Sequence, residues 1–302
     1  MNNTPTKKKI YVLNISVNEY DLKELNQIGD MYGSFLGDLN AVNSHVYKLQ
    51  KDVDVASQVD FILIPIYLHY FSNGDNFKGT RNKELIFNRL DLIEKEFNCN
   101  QCEEKIFVFF LHAHGASCGA SNEDSCVFVD NSSNQDENTI SKSEIYKKIC
   151  PLLKYADCYF IMNSCESAER NDLTCEKSIQ MKKFSEVAAL NKCNSDKTLF
   201  SLGMSSDVVY KDNQDKMSYG IKILKGVMEM GLKQDVKQVF KSMCTILRHL
   251  NENDGHKFYL PVLHIFNQNG NLNKPPRITS DNFFKWESQK LINHSDFNND
   301  TQ

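Results

Sequence analysis

Two apolar runs that stop abruptly at small polar residues constrain this chain more than any other feature. The first, Ile106 to Leu111, ends in His112-Ala-His-Gly115, and the second, Cys158 to Met162, ends in Asn163-Ser-Cys-Glu-Ser167. A strand buried on both faces of a parallel sheet reads as a continuous apolar run of about 4–8 residues. In open α/β sheets, ligands bind beyond the carboxyl ends of such strands. The two runs therefore predict strands that deliver His114 and Cys165 to one edge of a sheet. A thiol nucleophile needs an imidazole within reach and amide donors for the developing oxyanion. Gly115 allows close backbone approach to a substrate carbonyl, so the amides of Gly115 and Cys165 are the candidate oxyanion donors. His112 is a rival base on the same side of its strand, but the glycine after His114 favours His114. His69 also closes a strand-like run, with nothing nucleophilic beside it.

The remaining pattern supplies a frame for these two runs. Strands are expected at Ile10–Val17, Val59–Ile66, Ile106–Ala113, Cys158–Asn163, Thr198–Met204 and Phe258–Phe266. Helical spacing of Leu39, Val42, Val46 and Leu49 predicts a helix over 38–50. Leu85, Ile86, Leu90, Ile93 and Phe97 predict a second, with Thr80 as its cap. Ser141 to Glu144 has the form of a capping box and starts a helix through Leu153. Further helices are expected near 179–190, 218–230 and 234–250. The island Cys126–Val129 reads as a small hairpin or edge strand. Alternation of this kind predicts an α/β protein: about six mostly parallel strands with helices on both faces. Residues 1–7 read as a disordered lead, 8–266 as one domain, and 267–302 as an extension with a candidate docked helix over Asn282–Leu291 around the lone Trp286.

A net charge of −4 and the lack of a basic stripe exclude a nucleic-acid footprint. The N-terminus is too polar for a signal peptide, and no apolar run reaches the roughly 18–20 residues of a membrane span. A soluble, cytoplasmic chain with no membrane partner is expected. Its ten cysteines are then expected to be reduced, with Cys150 and Cys158 serving as packing residues. Cys99 and Cys102 have metal-ligand spacing, but no second pair completes a zinc site.

The two motifs together resemble the caspase-like cysteine peptidases, the peptidase C14 family, and most closely its metacaspase branch. That family carries an apolar strand ending in Ser-Gly-His-Gly, and about 50 residues later a second ending in Asp-x-Cys-x-Ser-Gly. Here His112 to Gly115 and Asn163 to Ala168 stand in those places. Ile15–Tyr20, Gly37–Val42, Ser218–Gly220 and Leu260–Leu263 extend the likeness over residues 8–266. The resemblance implies a caspase-like three-layer sandwich and a cysteine endopeptidase acting on proteins or peptides. His114 would be the base and Cys165 the nucleophile, reacting through a thioester, and no cofactor is required.

Departures from the family pattern bear on the substrate. Metacaspases receive a basic side chain on the Asp two residues before the nucleophile, where this chain has Asn163. Their second pocket Asp aligns with Ala41. Ser206 and Asp207, after the fifth strand, are further candidates for the substrate pocket. His112 and Ala168 replace a usual Ser and Gly. Many metacaspases need calcium, which takes several carboxylate oxygens. Asp124, Asp130 and Asp172 are the candidates, with Glu123 and Asp136 nearby. Caspases pair through an edge strand and metacaspases stay single, so a monomer or an edge-strand dimer is expected. The alternatives are an inactive caspase-like interaction module, a legumain-like peptidase, or a transamidase on the same sheet.

Overall fold

The structure, a computed structural model, describes residues 8–20, 35–71, 81–99, 104–118, 124–130, 138–168, 178–205, 217–229, 236–254 and 261–270. In chain order these form β1 (Lys8–Tyr20), α1 (Leu36–Lys51), α2 (Val53–Gln58), β2 (Val59–Phe71) and α3 (Asn82–Cys99). Then come β3 (Lys105–His112), β4 (Gly115–Cys118), β5 (Asp124–Phe128), β6 (Thr139–Ser141) and α4 (Lys142–Ile149). The chain continues through β7 (Ala156–Asn163), β8 (Ile179–Lys183), β9 (Leu199–Gly203), α5 (Tyr219–Glu229), α6 (Val236–Asp254) and β10 (Val262–Asn267).

Seven strands make one sheet in the order β2-β1-β3-β7-β9-β10-β8. The first five run parallel; β10 is antiparallel to β9, and β8 is parallel to β10. Successive side chains on a strand face opposite ways, and the apolar runs feed both faces. Ile10, Val12, Val108, Phe110, Tyr159 and Ile161 pack on one face with Val42 and Val46 of α1, Leu224 of α5 and Phe240 of α6. Tyr11, Leu13, Phe107, Phe109 and Phe160 pack on the other with Ile86, Leu90 and Phe97 of α3 and Ile145 of α4. Fully burying side chains of this size is worth about 1.5–3 kcal/mol each. Both runs singled out in the sequence therefore lie in the middle of a sheet covered on both faces.

Helix positions follow local chemistry. Ser141 caps α4 by accepting the Glu144 amide at 3.1 Å, while the Glu144 carboxylate accepts the Ser141 amide at 2.9 Å. Lys83 of α3 reaches the same carboxylate at 2.8 Å, and Lys148 reaches Asp91 at 2.7 Å. The two helices are thereby tied side by side on one face.

Several expectations change. The expected α/β sheet of mostly parallel strands with helices on both faces is present, with seven strands where about six are expected, and β4, β5 and β6 form a separate antiparallel sheet around the expected island. The helix expected near 179–190 is instead β8 followed by a 3-10 turn over Phe184–Glu186. The free edge of β10 offers backbone hydrogen bonds to this segment, and pairing there outweighs its weak helical pattern. The helix expected through Leu153 ends at Ile149, and a 3-10 turn, Leu152–Lys154, follows Pro151. The strand expected to stop at Ile66 runs to Phe71, because β1 keeps pairing with it along its whole length. Cys150 is bonded to Cys193, with their Cα atoms 5.8 Å apart, and Cys126 is also disulfide-bonded. The expectation of reduced thiols fails at these three positions. The lead, Thr80, the candidate helix near Trp286 and Phe258 to Leu260 lie outside the described residues.

Candidate active site

β3 and β7 are neighbours in register, with His112 opposite Asn163 at their carboxyl ends. The Ala113 amide still donates to the Asn163 carbonyl at 3.3 Å, so the pairing outlasts the strands by one residue. His114 follows, half-buried. Its ring meets Phe35 edge-on at 5.3 Å, and its carbonyl accepts the Phe128 amide at 2.8 Å. Phe35 is itself fixed, its amide donating to the Asn18 side chain at 2.5 Å. The imidazole is thus walled by the start of α1 and held by the small antiparallel sheet.

Cys165 lies half-buried just past β7, outside any disulfide. The two loops touch at Gly115. A Cβ there would lie 2.6 Å from the Cys165 carbonyl oxygen and 2.8 Å from Ser164 Oγ, so only glycine permits this approach. The sheet and this contact bring both halves of the predicted dyad to one end of the fold.

The turn that carries Cys165 is held from several sides. Glu166 has φ +51°, the only non-glycine with positive φ among the described residues. Such a conformation costs of order 1–3 kcal/mol and persists where the surroundings over-determine it. Ser125 Oγ donates to the Glu166 carbonyl at 2.6 Å, and Lys142 Nζ to the Ser167 carbonyl at 2.7 Å. Ser167 Oγ accepts the amides of Met204 at 2.9 Å and Ser205 at 3.2 Å. A Cβ on Gly203 would meet the Ser167 carbonyl at 2.1 Å, so β9 also runs tight against the turn. Ala168, which stands for a usual glycine, keeps an ordinary backbone and donates its amide to Ser205 at 2.7 Å. One polar atom here is orphaned: Ser164 Oγ is buried and finds no hydrogen-bond partner among the described residues.

Behind the turn lies a buried polar network. Asn163 Nδ2 donates to Asp38 Oδ2 at 3.1 Å and to His112 Nδ1 at 3.0 Å. His112 Nε2 donates to Asn14 Oδ1 at 2.9 Å. An amide nitrogen only donates and an amide oxygen only accepts, so His112 is neutral with its proton on Nε2. Ser218, at the start of α5, donates its amide and hydroxyl to Asp38 Oδ1 at 2.7 and 2.9 Å. Asp38, His112, Asn163 and Ser218 are all fully buried.

Three of the expected site residues are buried away from an open pocket. His112 is a buried structural histidine engaged at both nitrogens, so it does not rival His114. Asn163 is sealed from solvent and spends its amide on Asp38 and His112 instead of lining an open pocket. Ala41 is 5% exposed and lies on the core-facing side of α1. The carboxylate that does reach Asn163 is Asp38, three residues earlier, which sequence reasoning passed over because alignment by motif pointed to Ala41. Lys142, Ser167 and Ser218 were also missed; each acts through a tertiary contact that no local pattern marks.

Ser206, Asp207 and Asp172 lie outside the described residues, as does the side chain of Asp124. Asp130 is described and accepts the Lys83 amide at 3.4 Å. Burial raises its carboxyl above the ordinary range, against the amides of Lys83 and Asn82 and the charge of Arg81. Among the described residues no three His, Cys, Asp or Glu side chains are gathered to hold a metal ion; of the calcium candidates, only the Asp130 side chain is among them. Cys158 is buried in the sheet, where burial and then the Asp157 charge push its thiol well up, leaving it inert beside the half-exposed Cys165.

No protein-family model matches the chain. No curated protein matches it either. Among solved structures, the protein GSU0716 from Geobacter sulfurreducens is similar at 10% identity and a TM-score of 0.49, over 93% of this chain and 97% of that one. Another, pro-sf-caspase-1, is similar at 10% identity and a TM-score of 0.48, over 87% of this chain and 92% of that one.

Proposed function

We propose that the chain is a cysteine endopeptidase of the caspase-like kind, with Cys165 as nucleophile and His114 as general base. The observation that carries this reading is the contact of Gly115 with Ser164 and Cys165, which sets the His loop against the Cys turn. His114 takes the thiol proton and Cys165 attacks the scissile carbonyl. The amides of Gly115 and Cys165 donate to the oxyanion. Collapse expels the amine, protonated by His114, and leaves a thioester that water hydrolyses. Neither Asn163 nor Ala41 supplies a carboxylate for a basic substrate side chain, and Asp38 is buried behind Asn163 with both oxygens engaged, so preference is left to the segment holding Ser206 and Asp207.

A peptide-library cleavage screen, run with and without calcium and with Cys165→Ala as control, tests the reading. Cleavage that vanishes in Cys165→Ala supports it, and the preferred side chain and ion dependence come from the same data. An added amine nucleophile, read by product mass, separates hydrolysis from transamidation. A second reading, a silent interaction module, draws on the full burial of Asp38, Asn163 and Ser218 where a charged pocket would open. It requires that Cys165→Ala leave cellular function and partner binding unchanged.

A further inference from the structure

Lys142 stands where its charge is locally disfavoured. It is the first residue of α4, at the positive end of the helix dipole, where a cation is unfavourable and an acid is preferred. It is also buried, at 8% exposure, and burying a lysine is costly unless its ammonium is well bonded. Such breaches of local preference are expected where function requires them. The ammonium donates at 2.7 Å to the carbonyl of Ser167, two residues beyond Cys165.

The base of that lysine is rigid. The capping box of Ser141 and Glu144 fixes the first turn of α4, and Glu144 is anchored to Lys83 of α3. The turn that it grips contains the positive φ of Glu166. Ser125 holds the Glu166 carbonyl, and Lys142 holds the next carbonyl along; losing the Lys142 bond loosens the turn on that side, and the Cys165 thiol and amide move with it. We propose that Lys142 is a positioning residue, transmitting the rigidity of α4 to the nucleophile turn and holding Cys165 in reacting geometry. This rests on the reading of Cys165 as nucleophile, and it is tested by two readouts, one of which is independent of turnover.

The experiment compares wild type, Lys142→Met, Lys142→Arg and Cys165→Ala. Backbone hydrogen exchange of the segment 163–168 reads the turn directly, and kcat and KM on a cleaved library peptide read the chemistry. Lys142→Met, folded by circular dichroism, is expected to exchange that segment at least about tenfold faster. Its kcat is expected to fall about 10- to 100-fold with KM within about twofold, since an ångström of misplacement costs on that order. Lys142→Arg, which keeps a cationic donor, recovers most of both. Exchange confined to within twofold of wild type in folded Lys142→Met overturns the proposal, as does an equal loss in Lys142→Arg. If Lys142→Met does not fold, Lys142→Gln takes its place under the same two criteria. A wild type without Cys165-dependent cleavage defeats the peptidase reading, and the exchange comparison then decides Lys142 by itself.

Discussion

Gly115 and Ser164 make opposite demands at the point where the two loops meet. Gly115→Ala forces a methyl to within 2.6 Å of the Cys165 carbonyl, a backbone atom that cannot step aside. On the proposed peptidase reading its kcat is expected to drop about a hundredfold, by displacing the proposed oxyanion donor and the adjacent imidazole. Steady-state kinetics on a library peptide checks this. Ser164 carries a buried hydroxyl with no partner among the described residues, and an unmet buried donor costs about 1–3 kcal/mol. Ser164→Ala relieves that cost. Its unfolding free energy in urea is expected to equal or exceed the wild-type value, by on the order of 1 kcal/mol. A loss of more than that would mean that the hydroxyl has a bond the described residues do not supply.

At the scale of elements, α4 links the turn that carries Cys165 to α3. Ser141→Ala removes its cap and is expected to cost about 1 kcal/mol by chemical denaturation. Glu144 adds a pH dependence. Burial raises its carboxyl, but the Lys83 ammonium and the Ser141 amide outweigh that and hold it below its ordinary value. A lowered folded pKa contributes stability that is full above the unfolded pKa and is lost as pH falls through the folded one. The stability difference between wild type and Glu144→Gln is therefore expected at neutral pH and to shrink on acidification below about 4. Urea melts of both proteins from pH 7 to 3 measure it. The Cys150–Cys193 bond spans 43 positions between α4 and the approach to β9. A closure of that length is worth roughly 2–4 kcal/mol, so the double serine variant should melt lower, by scanning calorimetry.

At the scale of the whole molecule, β8 decides which edges are open. By covering β10 it leaves β2 and β8 at the margins of the sheet among the described residues. β8 is short and ends in Lys182 and Lys183, and β2 carries an exposed Pro65 at mid-strand. Short strands, lysines and proline are the usual guards against edge pairing. The chain is therefore expected to run as a monomer in multi-angle light scattering at micromolar concentration. Among the described residues, no helix is long and apolar enough to cross a membrane.

The sequence by itself determined the central strands, the main helices, the α4 capping box and the placing of His114 and Cys165 at strand ends. Those are local facts: a strand buried on both faces must be apolar throughout, and a capped amphipathic helix carries its own period. Tertiary structure decided β8, whose pairing partner is a strand some eighty residues later in the chain. It decided the disulfide, which needs two distant Cα atoms brought within reach. It also decided what each polar residue near Cys165 does. Asp38, Asn163 and Ser218 come from three separate elements and meet only when the sheet and its helices close. Lys142 looks from the sequence like an ordinary surface residue of a helix start. The Ser167 carbonyl that it grips lies across a loop, in a contact set by how α4 packs on the sheet.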